Sequence, residues 1–396
     1  MAFEQTWRWF GPQDPISLRE IKQTGATGIV TALHHIPAGE VWSTEEILSR
    51  KHTIEAEGLT WSVAESLPVH EDIKRRSGRY AEQIENYARS LRNLGSCGID
   101  TVCYNFMPVL DWSRTNLEVE FADGSITTRF DRRSQVAFDL YLLQRPGADG
   151  AYDESERREA KEFIDSLDGR QKQRLVETVL LGFPGSGEAY TLDSLRTALR
   201  SYEHIDDGQL RHNLHAFLKE IIPVAVESGV WMAIHPDDPP WPLLGLPRVV
   251  SDAADVEGLL AVVDVPANGI TLCTGSFGAS ARNNLVVMAE RFASRINFVH
   301  LRNVTRDDHG NFLEANHLEG DIDMYGVVKA LLLEQKRRAV DDSRNRRMPM
   351  RPDHGHLMQA DLDRQNVYPG YSLFGRMRGL AELRGLELGI RYALGL

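Results

Sequence analysis

The sequence predicts an α/β chain folded as a parallel (β/α)8 TIM barrel, with a mainly helical insertion after its third strand. Three observations carry that expectation. Short apolar runs alternate with amphipathic stretches, the signature of strand–helix–strand units. The run at 230–234 (VWMAI) stops at His235 and is followed by Pro236, Asp237, Asp238 and two more prolines, which cannot continue a strand. The arrangement then recurs: GITLCT (269–274), INFVHL (296–301) and RMPMRPD (347–353) deliver Cys273, His300 and Asp353, at successive spacings of 38, 27 and 53 residues after His235. Four strand ends in a row each present a metal-type ligand, and in a parallel barrel such ends converge on one face.

Taken in order, the chain opens with Trp7, Arg8, Trp9 and Phe10 ahead of Gly11 and Pro12. This stretch reads either as a hydrophobic plug or oligomer contact, or as an aromatic and cationic wall reaching a site. The run 28–33 (GIVTAL) is the first expected strand and ends at His34 and His35. A helix is expected over 43–57, where Ser43 and Glu46 have capping-box spacing. LTWSVAES (59–66) is the second strand, followed by Val69, His70, Glu71 and Asp72. Tyr80, Ile84, Tyr87, Ala88, Leu91 and Leu94 mark one face of the next helix. DTVCYNF (100–106) is the third strand, ending at Asn105 and Phe106.

The insertion is expected over about 107–205, on the catalytic side of a single domain spanning 1–396. Alternating Leu117, Val119 and Phe121, a turn at Asp123 and Gly124, then Ile126, Thr128 and Phe130 predict a hairpin. Three polar helices follow, near 155–166, 169–181 and 191–202, and a fourth barrel strand is expected somewhere within the insertion. The Gly-rich loop GFPGSGE (182–188) matches no phosphate-cradle pattern and reads as a loop or lid. An amphipathic helix carrying Leu210, Leu214, Phe217, Leu218, Ile221 and Ile222 leads back to the strand at 230. Later helices are expected near 254–264, 283–294 and 323–338, with a terminal helix after Ser372.

A formal charge of -12 argues against nucleic-acid binding, which needs a basic surface to displace counterions. An anionic substrate would have to be held by local arginines or a metal rather than by the overall field. No stretch is apolar enough to span a membrane, and MAFEQTWRWFGP lacks the parts of a signal peptide, so a cytoplasmic enzyme is expected. Three cysteines make no disulfide framework; Cys97 and Cys103 read as buried packing, and Cys273 stands apart because it falls at a strand end.

Two imidazoles, a thiolate and a carboxylate suit zinc, iron, manganese or nickel alike. Asp237 and Asp238 are alternative ligands, acceptors that orient His235, or a solvated loop capping the next helix. Arg302 and Arg351 would grip a substrate carboxylate through the guanidinium fork, or form salt bridges inside the barrel. His354 and the tyrosines Tyr368 and Tyr371 supply groups that move protons. Such a site suits proton abstraction next to a carboxylate, and sugar isomerisation nearly as well.

The motifs RWFG (8–11), PVHEDIK (68–74), CYNFMPVLDW (103–112), AIHPDDPP (233–240), CTGS (273–276), RNVT (302–305), GDIDM (320–324), RPDHG (351–355) and PGY (369–371) occur in order along nearly the whole chain. Together they resemble the D-mannonate dehydratase family. The resemblance implies a barrel of the xylose-isomerase-like type, Mn(II) or Fe(II), and conversion of D-mannonate to 2-keto-3-deoxy-D-gluconate in hexuronate breakdown. It further implies His235, Cys273, His300 and Asp353 as metal ligands, and acid–base work by His354 and Tyr371, with Asp353 assisting. Arg8, Trp9, His70, Asn105, Arg302 and Arg351 are expected to bind substrate, and a homodimer or larger homo-oligomer is expected from aromatics exposed at 7–10. The rivals are a sugar isomerase or epimerase, which a cysteine ligand disfavours, a metal endonuclease, which the charge disfavours, and an inactive sugar-acid binding protein.

Overall fold

The structure, a computed structural model, describes residues 2–181, 190–340 and 346–396. Twelve strands follow one another along the described chain: β1 (Glu4–Arg8), β2 (Gly28–Thr31), β3 (Thr60–Glu65), β4 (Thr101–Tyr104), β5 (Asn116–Glu120), β6 (Ile126–Phe130), β7 (Trp231–Ile234), β8 (Asn268–Cys273), β9 (Ile296–His300), β10 (Asn303–Arg306), β11 (Phe312–Ala315) and β12 (Pro349–Arg351). Eight of them close a barrel in the order β1-β12-β9-β8-β7-β4-β3-β2, every neighbouring pair parallel. The other four form an antiparallel sheet, β10-β11-β6-β5.

The missing barrel strand lies at the start of the chain, not within the insertion. Glu4–Arg8 pairs with β2 on one side and β12 on the other. The strand at 101–104 is therefore the fourth, and the insertion follows it rather than the third. EQTWR has no apolar run because Glu4 and Arg8 meet charged partners, Arg347 and Glu65, so periodicity alone passes over it. Trp7 and Trp9 are buried and Phe10 is half-buried, which removes the exposed aromatic contact behind the expectation of an oligomer.

The helices lie close to their expected places. Tyr80–Ser96 buries Ile84, Tyr87, Leu91 and Leu94, and Asp207–Ser228 buries Leu210, Leu214, Phe217 and Ile221 after an Asp206 cap. The insertion supplies the hairpin β5–β6 and helices Glu154–Ser166, Gly169–Leu180 and Leu192–Arg200. Ser43 caps its helix by accepting from the Glu46 N–H, while the Glu46 carboxylate turns to His35 at 2.9 Å, so only half of the capping box forms. The Gly-rich stretch 182–188 lies outside the described residues. β10 and β11, which the sequence reading passes over, join the hairpin through β11–β6 pairing, Phe312 opposite Phe130.

Inside the barrel, Val30, Val63, Cys103, Ala233 and Phe298 touch one another, one from each of five strands. Strand side chains alternate with a period of two, so the residue two positions further on faces the same interior. From Val63, Cys103, Ala233 and Phe298 that step reaches Glu65, Asn105, His235 and His300. The Phe298 ring lies edge-on to His300 at 4.5 Å, an apolar floor beneath a polar layer.

Candidate active site

That polar layer holds the donor set. One ligand atom each from His235, Cys273 and His300 lies within 4.8 Å of the others, the one such group of three among the described residues. His235 Nδ1 is 2.7 Å from the Pro236 carbonyl, which accepts a hydrogen bond from Nδ1–H and leaves Nε2 with the lone pair a cation needs. Burial lowers the His235 pKa and keeps the ring neutral, as a ligand must be. Asp353 stands beside this group: its Oδ2 is 3.5 Å from Cys273 Sγ and its Oδ1 3.8 Å from His300 Nδ1. Its backbone is left-handed at φ 55°, an unusual conformation for a non-glycine residue, and both carboxylate oxygens meet arginines.

Around the donors, four carboxylates face four guanidinium groups, all buried. Arg351 forks onto Glu65 at 2.8 and 3.0 Å and reaches Asp353 at 2.5 Å. Arg302 reaches Asp238 at 2.7 Å, Glu314 at 2.8 Å and Asp353 at 3.2 Å. Arg114 spans Asp238 at 2.8 Å and Glu314 at 2.6 Å, and Arg8 lies 3.4 Å from Glu65. Burial alone would raise these acids, yet their neighbours outweigh it and hold all four below the ordinary carboxylate range: Arg351 foremost at Glu65 and Asp353, Arg114 and then Arg302 at Asp238, and at Glu314 the His354 ring ahead of Arg302 and Arg114. Acids with depressed native values stabilise the fold above about pH 4, and that stabilisation is lost as the pH falls through those values. Thermal midpoints should therefore fall steeply only below about pH 4 on these groups' account; a steep loss already between pH 7 and 5 would contradict that balance.

The arginines thus differ from the carboxylate clamps expected from sequence. Arg302 is wholly engaged by protein acids and lines neither of the two cavities at this site, whereas Arg351 lines the smaller one while holding Glu65 and Asp353. Asp237 and Asp238 are buried rather than solvated, and neither orients His235: Asp237 accepts from the Val250 N–H and Ser251 hydroxyl, and Asp238 pairs with Arg114 and Arg302. A Cβ on Gly275, in CTGS, would overlap the Arg302 guanidinium, so that motif needs its glycine.

Two adjoining cavities open on this layer. The smaller, about 30 Å³, is lined by Glu65, Asn105, His235, Arg351, His354 and Tyr371 among others. The larger, about 360 Å³, is reached past the shared Ser66, Asn105, Met107 and Asp111, and is lined by Arg8, His34 and His70. Trp9 lines neither; it packs in the core under the Arg50 guanidinium. His70 also caps the helix Glu71–Arg75 by accepting from the Asp72 N–H. Tyr371 is buried with its ring 4.9 Å from those of His354 and Phe10, while Tyr368 is more than a third exposed, so Tyr371 is the tyrosine at the site. Gly370, at φ 81°, places its α-carbon so that a Cβ would lie 2.9 Å from His354 Cγ, which explains Pro-Gly-Tyr.

Sequence reasoning missed Glu65, Arg114, Glu314, His34 and Asp111. Glu65 follows Val63 by two residues at a strand exit, the same signal that marks His235, and was open to reading. Arg114 lies just before the hairpin and Glu314 in the accessory sheet, where no local pattern points to them.

A closed parallel barrel with nitrogen, sulfur and oxygen donors gathered at the carboxyl ends of its strands defines a TIM-barrel protein with a candidate metal centre. The model of the family D-mannonate dehydratase (UxuA) matches residues 3–394, and the chain belongs to that family. It is 56% identical over 392 residues to the mannonate dehydratase of Marinomonas sp. (strain MWYL1), covering 99% of this chain and 100% of that one. The solved mannonate dehydratase of Streptococcus suis serotype 2 superposes with TM-score 0.77 at 35% identity, covering 100% of this chain and 95% of that one. At the level of fold alone, a xylose isomerase domain protein of Alicyclobacillus acidocaldarius matches with TM-score 0.51 at 13% identity, covering 98% of this chain and 100% of that one. The activity is accordingly that of a carbon–oxygen hydro-lyase acting on mannonate.

Proposed function

We propose that the chain converts D-mannonate to 2-keto-3-deoxy-D-gluconate and water by removing the C2 proton and expelling the C3 hydroxyl, with His235, Cys273, His300 and Asp353 holding Mn(II) or Fe(II). The observation that carries this reading is the meeting of His235, Cys273 and His300 within 4.8 Å, beside a cavity lined by His354 and Tyr371. When bound, the ion supplies positive charge to the substrate carboxylate as electron density builds on it during loss of the C2 proton.

The residues of the chain divide the remaining work. His354 lines the cavity and takes the C2 proton on Nε2; the Tyr371 phenol, whose pKa burial raises even against Arg351, keeps its proton and delivers it to the departing C3 hydroxyl. Arg351, Asn105, Arg8 and His70 line the path along which the hydroxylated carbon chain extends into the larger cavity. The whole chain acts as one barrel domain, with 107–205 as an insertion over the catalytic face that contributes Asp111 and Arg114. Three free, buried cysteines suit a reducing cytoplasm, where hexuronate breakdown would supply the substrate. Among the described residues no helix is long and apolar enough to cross a membrane.

The test is formation of the 2-keto-3-deoxy acid from D-mannonate by chelator-stripped protein, with and without Mn(II) or Fe(II). Metal-restored turnover is expected, with a loss of more than about 100-fold in Cys273→Ala, beyond the usual cost of removing an outer partner of a metal ligand. Full turnover in the stripped protein would refute the metal reading. Ketose formed from aldoses, with none of the keto acid, would favour the isomerase.

A further inference from the structure

We propose that Glu314 is a positioning residue for His354, fixing the imidazole so that Nε2 is the nitrogen that exchanges a proton with the substrate; this rests on the acid–base role given to His354 above. Both Glu314 carboxylate oxygens lie 2.9 Å from His354 Nδ1. Arg302 Nη1 is also 2.9 Å from that nitrogen and gives one of its two N–H groups to Glu314 Oε1 at 2.8 Å, so at Nδ1 two anionic oxygens stand against a single remaining N–H. A lone pair on Nδ1 would face two anionic oxygens, so Nδ1 carries the proton and donates it to Glu314. The lone pair is then on Nε2, 3.9 Å from Asp353 Oδ1 and on the ring that lines the smaller cavity.

Glu314 is itself held on every side. Arg114 and Arg302 grip its carboxylate, and its carbonyl accepts from the Thr127 hydroxyl at 2.9 Å and lies 3.0 Å from His356 Nε2. β10 flanks its strand through antiparallel pairing, and β6 pairs with the same strand's start. The residue lines neither of the two cavities described at the site, so it reaches the substrate only through His354. The accessory sheet, with a hairpin from the insertion on one side and β10–β11 on the other, thereby delivers an acid to the far side of a catalytic ring. A carboxylate behind an imidazole holds its tautomer and steadies the charge it gains on taking a proton.

The experiment is a double-mutant cycle on the metal-loaded enzyme. Glu314→Gln should lower kcat at least about 10-fold with KM within about 2-fold, because the ring is misdirected while the substrate still binds. In a His354→Asn background the same change should cost nothing more, since a residue acting through His354 has nothing left to act on. Glu314→Asp, which keeps the charge, should recover part of the loss, and it replaces Glu314→Gln in the cycle if the neutral variant does not fold. Losses that multiply in the double variant, or wild-type kcat in Glu314→Gln, would overturn the inference while leaving His354 in its role. Wild-type turnover in His354→Asn alone would instead overturn the role of His354, and the inference with it.

Discussion

His354→Asn and Tyr371→Phe are each expected to lower turnover of D-mannonate by about 10²–10⁴-fold, the usual contribution of a positioned general acid or base. Neither change removes a proposed metal ligand, so metal content should remain at the wild-type level. The two losses should differ in kind. With Tyr371→Phe the base is intact, so exchange of the C2 proton with deuterated solvent should continue while dehydration stalls. With His354→Asn both should fail together. Retained dehydration in both variants would remove these residues from the chemistry, and exchange lost only in Tyr371→Phe would reverse the roles. Burial sets this division of roles, because a phenol enclosed beside the His354 and Phe10 rings gives up its proton reluctantly even with Arg351 and Arg8 nearby.

Arg302→Met is expected to be the most damaging single change to the fold near the site, by about 3–5 kcal/mol, the cost of leaving buried charges without a partner. Its guanidinium meets Asp238, Glu314 and Asp353, none of which is open to solvent. Arg114 would still hold Asp238 and Glu314, and Arg351 would still hold Asp353, so the protein should fold but melt several degrees lower. Arg291→Met is the matching control. Its pairing with Glu257 is about half exposed and should contribute roughly 0–1 kcal/mol. Equal melting temperatures for the two variants would show that the buried network is not under the electrostatic load ascribed to it. The comparison also tests the reassignment of Arg302: as a substrate clamp alone, its loss would raise KM and leave the melting temperature unchanged.

The sequence by itself determined the barrel class and singled out three donor-type side chains that the structure brings together. His235, Cys273 and His300 were legible because each ends an apolar run that a buried parallel strand requires, and strand direction alone carries such ends to one face. From the residues alone Tyr371 was one of two tyrosines; the family resemblance pointed to it, and its burial beside the His354 ring places it, not the exposed Tyr368, at the site. The first strand escaped notice because Glu4, Gln5 and Arg8 have charged or polar partners brought from residues far along the chain, so their polarity marks pairing rather than exposure. Only the tertiary structure decided what the arginines do. Whether a guanidinium grips substrate or protein depends on which carboxylates stand beside it, and Arg114, Asp238, Arg302 and Glu314 come from the insertion, the loop after β7 and the accessory sheet. Periodicity reports the environment of a residue within its own strand or helix; the partner across a buried ion pair is set by chain crossings that no local pattern encodes.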